Sequence, residues 1–377
     1  MSFKSVLKKF IPVNYSRFQK NKKNTEKELK ELKKLVKKQQ KSISEFESTL
    51  KELQKSNKEL SEKLRTTTSI ATYCRDNVRD YLKAEKAEYY KSTPAKYYVQ
   101  ELKDWFKTAT GETLDLENPI TYNQKIQWLK VYDTTPLKTQ LTDKYLVRDW
   151  VKDKIGEKYL TKLLGVWHNF YDIDFDALPD KFVLKTNHGC GFNYIVPDKS
   201  NFNRSDARFK FQKWMKVNFA YRWGIEPQYR DIEPLIIAEE YLENYNKDLY
   251  DYKFWCFNGK PMYIQFLSER NISGLKMAFF DTEWNKLDFV YDHPRLRRDV
   301  EKPENLDEML KIAETLSNGF AHVRVDLYRL NSGEIKFGEM TFTSCSGACH
   351  WNPPEYNEKL GALITLPEKT EFFKEDN

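Results

Sequence analysis

Residues 25–65 constrain this chain more than any other stretch. Leu29, Val36, Ile43, Leu50, Asn57 and Leu64 recur every seven residues, and Leu32, Gln39, Phe46, Leu53 and Leu60 form a second row three positions along. No Pro or Gly interrupts them. A repeat of seven, with apolar a and d positions, makes a continuous seam only along a helix. The segment is read as a self-associating coiled coil, a homodimer or higher oligomer through residues 25–65, against the plainer reading of one long solvated helix. Asn57 falls at an a position, where a polar side chain fixes register and oligomer state. Gln39 and Phe46 weaken the seam locally. Thr66-Thr67-Thr68-Ser69 then breaks the pattern and marks a boundary.

Ahead of the repeat, residues 1–23 carry seven Lys/Arg and no acid. Phe3, Val6, Leu7, Phe10 and Ile11 share one face of a helical wheel, Lys4, Lys8 and Lys9 lie on or beside the other, and Pro12 ends the pattern. Such an arm suits an anionic membrane surface; a frayed, solvated terminus is the alternative. The arm and repeat also account for the charge. Residues 1–66 hold 19 Lys/Arg against 8 Asp/Glu, whereas the remainder holds 44 against 48. The net +7 therefore does not point the globular part towards nucleic acid. No secretory segment and no run of eighteen apolar residues is present, so the expected place is the cytoplasm, with the arm at the inner face of the cell membrane.

At 377 residues, with 40% apolar and 15% aromatic residues, the chain has room for a sizeable core beyond the arm and repeat. The expected organisation is an arm (1–23), a coiled coil (24–66), a mainly helical part (70–180), a mixed α+β core (181–367) and a tail (368–377). Five scattered cysteines, Cys74, Cys190, Cys256, Cys345 and Cys349, do not frame a disulfide scaffold and fit a reducing compartment. Cys345, Cys349 and His350 cluster, but lack the second pair that a zinc site needs.

Several stretches after residue 120 offer phosphate- or metal-type chemistry. Asp143–Lys154 reads as a helix with Thr142 as N-cap, and Lys144 and Arg148 share a face of it. Phe182–Val196 reads as strand, glycine turn, strand. Lys185 ends the first strand, and Gly189 and Gly191 flank Cys190 in a turn whose N–H groups can approach a ligand closely. The turn has neither the GKS/T ending of a P-loop nor the third glycine of a dinucleotide fingerprint, so an ordinary tight turn is the default. His188 beside it is a candidate base or a loop histidine bonded to backbone. Residues 204–223 read as an aromatic, basic helix. Pro234–Leu242 is a buried strand with Glu239 and Glu240 near its end, and Asp251–Phe266 is a hairpin turning at Asn258-Gly259. Arg270 follows the return strand. A helix over Leu306–Leu316, with Asn305 as candidate cap, leads into a second hairpin.

That hairpin pairs Ala321–Tyr328 with Ile335–Phe342 across an Asn331-Ser332-Gly333 turn. It can set Asp326 beside Glu339, with Arg324 on the strand face of Asp326. Two convergent acids suit a Mg²⁺ that already carries phosphate oxygens. The plain alternative is a solvated acid pair with an Arg partner.

Six motifs, in order, resemble the ATP-grasp superfamily and within it the TupA-like branch: Asp143-Lys144 with Arg148, Lys185-Thr-Asn-His-Gly-Cys-Gly191, Ile237-Ala-Glu-Glu-Tyr241, Asp251-Tyr-Lys-Phe-Trp-Cys-Phe-Asn-Gly-Lys260, Arg324-Val-Asp326 and Phe337-Gly-Glu-Met-Thr341. The resemblance covers roughly residues 120–367 and implies an α+β fold in which two lobes sandwich ATP, preceded here by the coiled coil. It implies that Lys144 and Lys185 contact the phosphates, and that the Gly189-Cys190-Gly191 loop closes over them. Glu239, Glu240 and Leu242 would line the adenine edge, and Asp251 the ribose. Asp326, Glu339 and Thr341 would bind Mg²⁺, with Thr341 standing where relatives often carry Asn. Arg324, Arg270 and Lys253 would stabilise phosphate or oxyanion charge. The implied reaction activates a carboxylate as an acyl phosphate for attack by an amine, here in capsular or envelope polysaccharide synthesis. A glycosyltransferase or a non-catalytic scaffold of that pathway are the alternatives. The arm reading predicts that the full-length chain sediments with anionic vesicles at low salt; protein left in the supernatant would refute it.

Overall fold

The computed structural model describes residues 12–242, 250–268 and 275–370. The chain divides into two compact units, residues 1–80 and 81–377. The apolar pattern over Phe3–Ile11 lies outside the described residues.

One helix, α1 (Pro12–Ser92), runs through the first unit and continues beyond it. Pro12 opens it, a position where the missing N–H costs nothing. The helix also passes through Thr66–Ser69, where the sequence pattern suggested a break. The seam stops there but the helix does not. Thr and Ser lower helix propensity by less than about 1 kcal/mol each, far less than the Pro that follows the helix at position 94. The nine apolar seam residues are 46% to 76% exposed. Among the described residues, no helix is long and apolar enough to cross a membrane.

The second unit begins with four helices, α2 (Tyr98–Thr110), α3 (Tyr122–Tyr132), α4 (Pro136–Thr142) and α5 (Val147–Ile155). Then follow β1 (Leu163–Trp167), β2 (Phe182–Thr186), β3 (Asn193–Val196), α6 (Arg204–Trp214) and β4 (Ile236–Glu240). The chain continues with β5 (Tyr250–Phe257), β6 (Lys260–Ser268), β7 (Lys276–Phe280), β8 (Lys286–Leu287), β9 (Val290–Tyr291) and α7 (Leu306–Ser317). It closes with β10 (His322–Arg329), β11 (Ile335–Thr341), β12 (Trp351–Asn352) and α8 (Tyr356–Ala362).

Two local readings are corrected here, and one strand is added. Strand β1 lies in the stretch read as mainly helical; it is five residues long and too short to show a period. The Asp143–Lys154 helix starts at Val147, and Thr142 closes α4, its hydroxyl donating back to the Lys138 carbonyl. Asp143 instead closes the turn ahead of α5, its carboxylate accepting from the Tyr145 and Leu146 amides, and the helix N-cap, Leu146, makes no side-chain bond. The helix expected over 204–223 ends at Trp214.

Among the described residues, a four-stranded and a six-stranded antiparallel sheet carry the unit, with β12 and β9 forming a separate pair. The smaller has the order β1-β4-β2-β3 and the larger β11-β10-β5-β6-β7-β8. Strand alternation divides the larger sheet into two faces. Tyr252, Phe254 and Cys256 of β5 and Val323, Val325 and Leu327 of β10 pack with Met309, Ile312 and Leu316 of α7 in one core cluster. The intervening residues, Asp251, Lys253 and Trp255 of β5 and Arg324 and Asp326 of β10, fall on the other face. There the strand register lines up Gln265, Lys253, Asp326 and Glu339 in one row across β6, β5, β10 and β11.

Helix α3 anchors the loop that follows β11. A capping box starts it: the Thr121 hydroxyl accepts from the Gln124 amide while the Gln124 side chain reaches back. One turn later Gln127 Nε2 donates to the carbonyls of Ser346 and Gly347, and Lys130 Nζ to the carbonyl and hydroxyl of Ser346. These bonds hold Cys345, Ser346 and Gly347 at positive φ, a conformation that costs non-glycine residues energy and persists only when neighbours enforce it. Thr121→Ala should lower unfolding stability by about 1 kcal/mol, read as a lower denaturant midpoint; an unchanged midpoint would show that packing alone holds α3.

Candidate active site

The site is built around Asp326, which is 1% exposed. Arg324 grips it in a two-pronged pair, Nε to Oδ1 at 2.7 Å and Nη2 to Oδ2 at 2.8 Å. Lys253 pairs with Oδ2 from the neighbouring strand and with Asp251 at 3.0 Å. Burial alone would lower the Lys253 ammonium and the Arg324 guanidinium. The Asp251 and Asp326 carboxylates outweigh it at Lys253, and Asp326 does so at Arg324, raising both.

Glu339 faces Asp326 across β10 and β11 only because of a β-bulge. Pairing runs Leu327 to Phe337 and then Asp326 to Glu339, leaving Gly338 as the extra residue. In a regular strand Phe337 and Glu339 would share a face. The bulge keeps Phe337 in the apolar cluster beneath and turns Glu339 to the charged face. A Cβ on Gly338 would lie 3.0 Å from the Asp326 carbonyl oxygen, so the close approach favours glycine. Glu339 then meets three cations. Lys144 Nζ lies 3.4 Å from its Oε2 and Arg324 Nη2 3.4 Å from its Oε1. Burial would raise the carboxyl, but Lys144, Lys253 and Arg324 bring it down to about 2. Thr341 joins the group, donating to Glu339 at 3.3 Å and accepting from Arg324 at 3.1 Å.

Lys144 links this patch to the smaller sheet. Its Nζ donates to the Gly189 carbonyl at 2.7 Å and its amide to the Asn187 carbonyl. Gly189 has φ of +88°, and a Cβ there would strike the Phe219 ring at 2.4 Å. Asn187, fully buried, fixes the turn: it donates to Asp143 Oδ2 and the Glu233 carbonyl, and its Oδ1 accepts from the Leu235 amide. Cys190 is exposed at the tip of the turn. A second ion cluster lies along the smaller sheet, where Lys185 and Arg148 meet Glu239 at 2.5 Å and 3.3 Å. Tyr328 feels both clusters. Its hydroxyl is pushed well above its usual value first by burial, then by Asp251, Glu339, Asp326 and Glu239.

The structure thus brings together Lys144, Gly189, Cys190, Lys253, Asp251, Arg324, Asp326, Glu339 and Thr341, and nearby Lys185 and Glu239. Glu240 is exposed at the end of β4, and Leu242 follows it. Gly191, with φ of +78°, has open space around it. His188 is buried, with Nε2 3.2 Å from the Trp214 carbonyl and Nδ1 3.3 Å from Asn187 Oδ1. Burial lowers its pKa. A role as base would require one of those bonds to give way. Arg270 lies outside the described residues. Sequence reasoning gave no role to Asn187, which stood unremarked within a quoted motif, or to Ser344, whose hydroxyl lies 3.3 Å from Arg324 Nη1.

A divalent metal fits the donor set. Asp326, Glu339 and the Thr341 hydroxyl are hard oxygens on one patch, and Asp251 Oδ1 is buried there with no hydrogen-bond partner. Among the described residues no three His, Cys, Asp or Glu side chains form a metal cage. The oxygen donors named suit Mg²⁺, which takes one or two carboxylates and completes its shell with water and phosphate oxygens.

A family model described as TupA-like ATPgrasp matches residues 124–365. No curated protein matches the chain. Among solved structures, the chain is similar to an L-amino acid ligase from Bacillus licheniformis at 13% identity, with 63% of this chain and 54% of that one covered and a TM-score of 0.39. It is similar to the ATP-grasp ligase PsnB complexed with a minimal precursor at 11% identity, with 56% and 55% covered and a TM-score of 0.33. It is also similar to a D-alanine–D-alanine ligase from Bacillus anthracis complexed with ATP at 13% identity, with 54% and 55% covered and a TM-score of 0.32. The chain spans about half the length of each of these structures.

The Glu339 environment has a pH signature. Its carboxyl lies at about 2 in the folded chain against about 4.5 unfolded, so its stabilisation is complete above 4.5 and lost as pH falls towards 2. Between those limits the denaturant midpoint of the wild type should fall more steeply than that of Glu339→Gln. Parallel profiles would mean that the three cations do not hold the carboxylate.

Proposed function

Because the chain belongs to the TupA-like ATP-grasp family, we propose that it is an ATP-dependent, ADP-forming ligase that joins a carboxylate to an amine. The observation that carries this reading is the row in which three cations, Lys144, Lys253 and Arg324, converge on Asp326 and Glu339. Phosphoryl transfer needs little covalent chemistry from a protein; it needs positioned charge and excluded water. In this reading Lys144, Lys185 and the Gly189–Gly191 turn hold the phosphates. Glu239, Glu240 and Leu242 line the adenine, with Asp251 towards the ribose. Asp326 and Glu339, with Thr341 beside them, hold Mg²⁺, which when bound neutralises phosphate charge as a Lewis acid.

The substrate carboxylate attacks the γ-phosphorus and releases ADP, giving an acyl phosphate. The amine then attacks the carbonyl carbon, inorganic phosphate leaves, and the amine proton passes to solvent or a nearby base. Arg324, which already bonds two carboxylates and two hydroxyls, stabilises the oxyanion, assisted by Lys253 and Arg270. The carboxylate is read as that of a uronic acid or amino-acid group in capsular or envelope polysaccharide synthesis. Residues 25–65 are read as a self-association segment and residues 1–23 as a peripheral membrane contact, which would place the enzyme at the inner face of the cell membrane.

Asp326→Asn and Glu339→Gln should each cut substrate-dependent ADP release by at least about 100-fold, while thermal melting confirms that the variants fold. Release that survives both changes refutes the site. A thermal shift with a nucleotide sugar and none with ATP would favour a glycosyltransferase instead.

A further inference from the structure

We propose that α1 pairs with α1 of a second copy of this chain as a two-stranded coiled coil, parallel and in register over residues 28–64. The inference rests on the self-association reading above and adds its stoichiometry and direction. The seam residues supply the first argument. From Leu29 to Leu64 the nine apolar a and d side chains are exposed along one helix, and Leu35, 62% exposed at a flanking g position, widens the stripe. A stripe of that length repays burial only against an equally long partner of the same repeat, which a second copy supplies.

Residue types set the number of strands. Leu fills a at positions 29, 50 and 64, with β-branched Val36 and Ile43 between them, while Leu32, Leu53 and Leu60 occupy d. That distribution favours two strands, because β-branched side chains at a and Leu at d each match the packing geometry of a parallel dimer. Asn57 at a meets its own counterpart only when the chains are parallel and in register, where the two amides bond each other and disfavour trimers.

Flanking charges separate the two directions. In a parallel coil each g residue faces the e residue five positions on in its neighbour. Glu28 then faces Lys33 of the second copy, twice by symmetry, and the pairs from Leu35–Gln40 to Ser56–Ser61 set no like charges together. Turned antiparallel, the seam overlaps equally in two registers: one sets Glu47 against Glu47 of the second copy, and the other sets Glu28 against Lys63 but buries Asn57 opposite Leu32, so there the direction rests on Asn57.

Sedimentation equilibrium of the full chain reads the stoichiometry, and a mass of two chains is expected. Ile43→Cys, oxidised with glutathione disulfide and mapped by peptide mass spectrometry, reads the direction, with the wild type as control for native cysteines. Parallel register links position 43 to position 43. In a sedimenting dimer, absence of that link, or a link formed only between Ile43→Cys and Leu53→Cys chains, overturns the parallel arrangement. Glu28→Lys should weaken the dimer several-fold and Lys33→Glu added to it should restore it. A monomer at all concentrations sinks self-association itself, and a three-chain mass sinks the two-stranded form. Neither measurement reads ATP turnover, so each reading can fail separately.

Discussion

A carboxylate as buried as Asp326 cannot stand alone in a protein interior. An isolated ionised group taken out of water costs several kcal/mol even after relaxation, and it survives only when paired. Here the pairing comes from two directions, Arg324 on its own strand and Lys253 on the next. Both must then be held, and the fold is arranged to hold them. Arg324 is fixed further by Ser344, Thr341 and Glu339, and Lys253 by Asp251. Removing any one partner leaves a buried charge uncompensated, so the row acts as a unit.

The sheet makes this unit affordable. One face of β5 and β10 is mostly apolar and covered by α7, so packing fixes those strands beneath the charged row. Alternation then delivers the polar residues to the opposite face at spacings that rigid strands maintain. The smaller sheet contributes less charge and more shape. Its glycine turn is tied down by Asn187 and brought to the charged row by one residue, Lys144.

Much of this was legible in the sequence, and the limits are physical. The hairpins were readable because Asn258-Gly259 and Asn331-Ser332-Gly333 are turn chemistry with a local cause. Asp326 and Glu339 were readable as a pair because a hairpin of that length can bring them together. The reason they do pair was not readable, since a bulge at Gly338 depends on register against a strand whose position is a tertiary fact. Strand β1 was hidden for a similar reason: its five residues are a strand because β4 lies beside them. Asn187 escaped notice because its importance lies in four partners far away in sequence or in backbone, none of which composition reveals. Lys144 and Arg148 were expected on one helix face, yet Lys144 lies before α5 and reaches the glycine turn, whereas Arg148 reaches Glu239.

The clamp of α3 on the left-handed loop bears on how the chain folds. Gln127 and Ser346 are 219 residues apart, and Lys130 and Ser346 are 216 apart. A strained backbone at Cys345 and Ser346 gains nothing until those partners arrive, and closing so long a loop is entropically costly. The long helix α1 draws on contacts only a few residues apart and can form at once. Folding should therefore run from the outside inward in time: helices and hairpins first, the loop behind β11 last. The residues around Arg324 would then reach their working arrangement in the final step of consolidation, when the first and last thirds of the second unit meet.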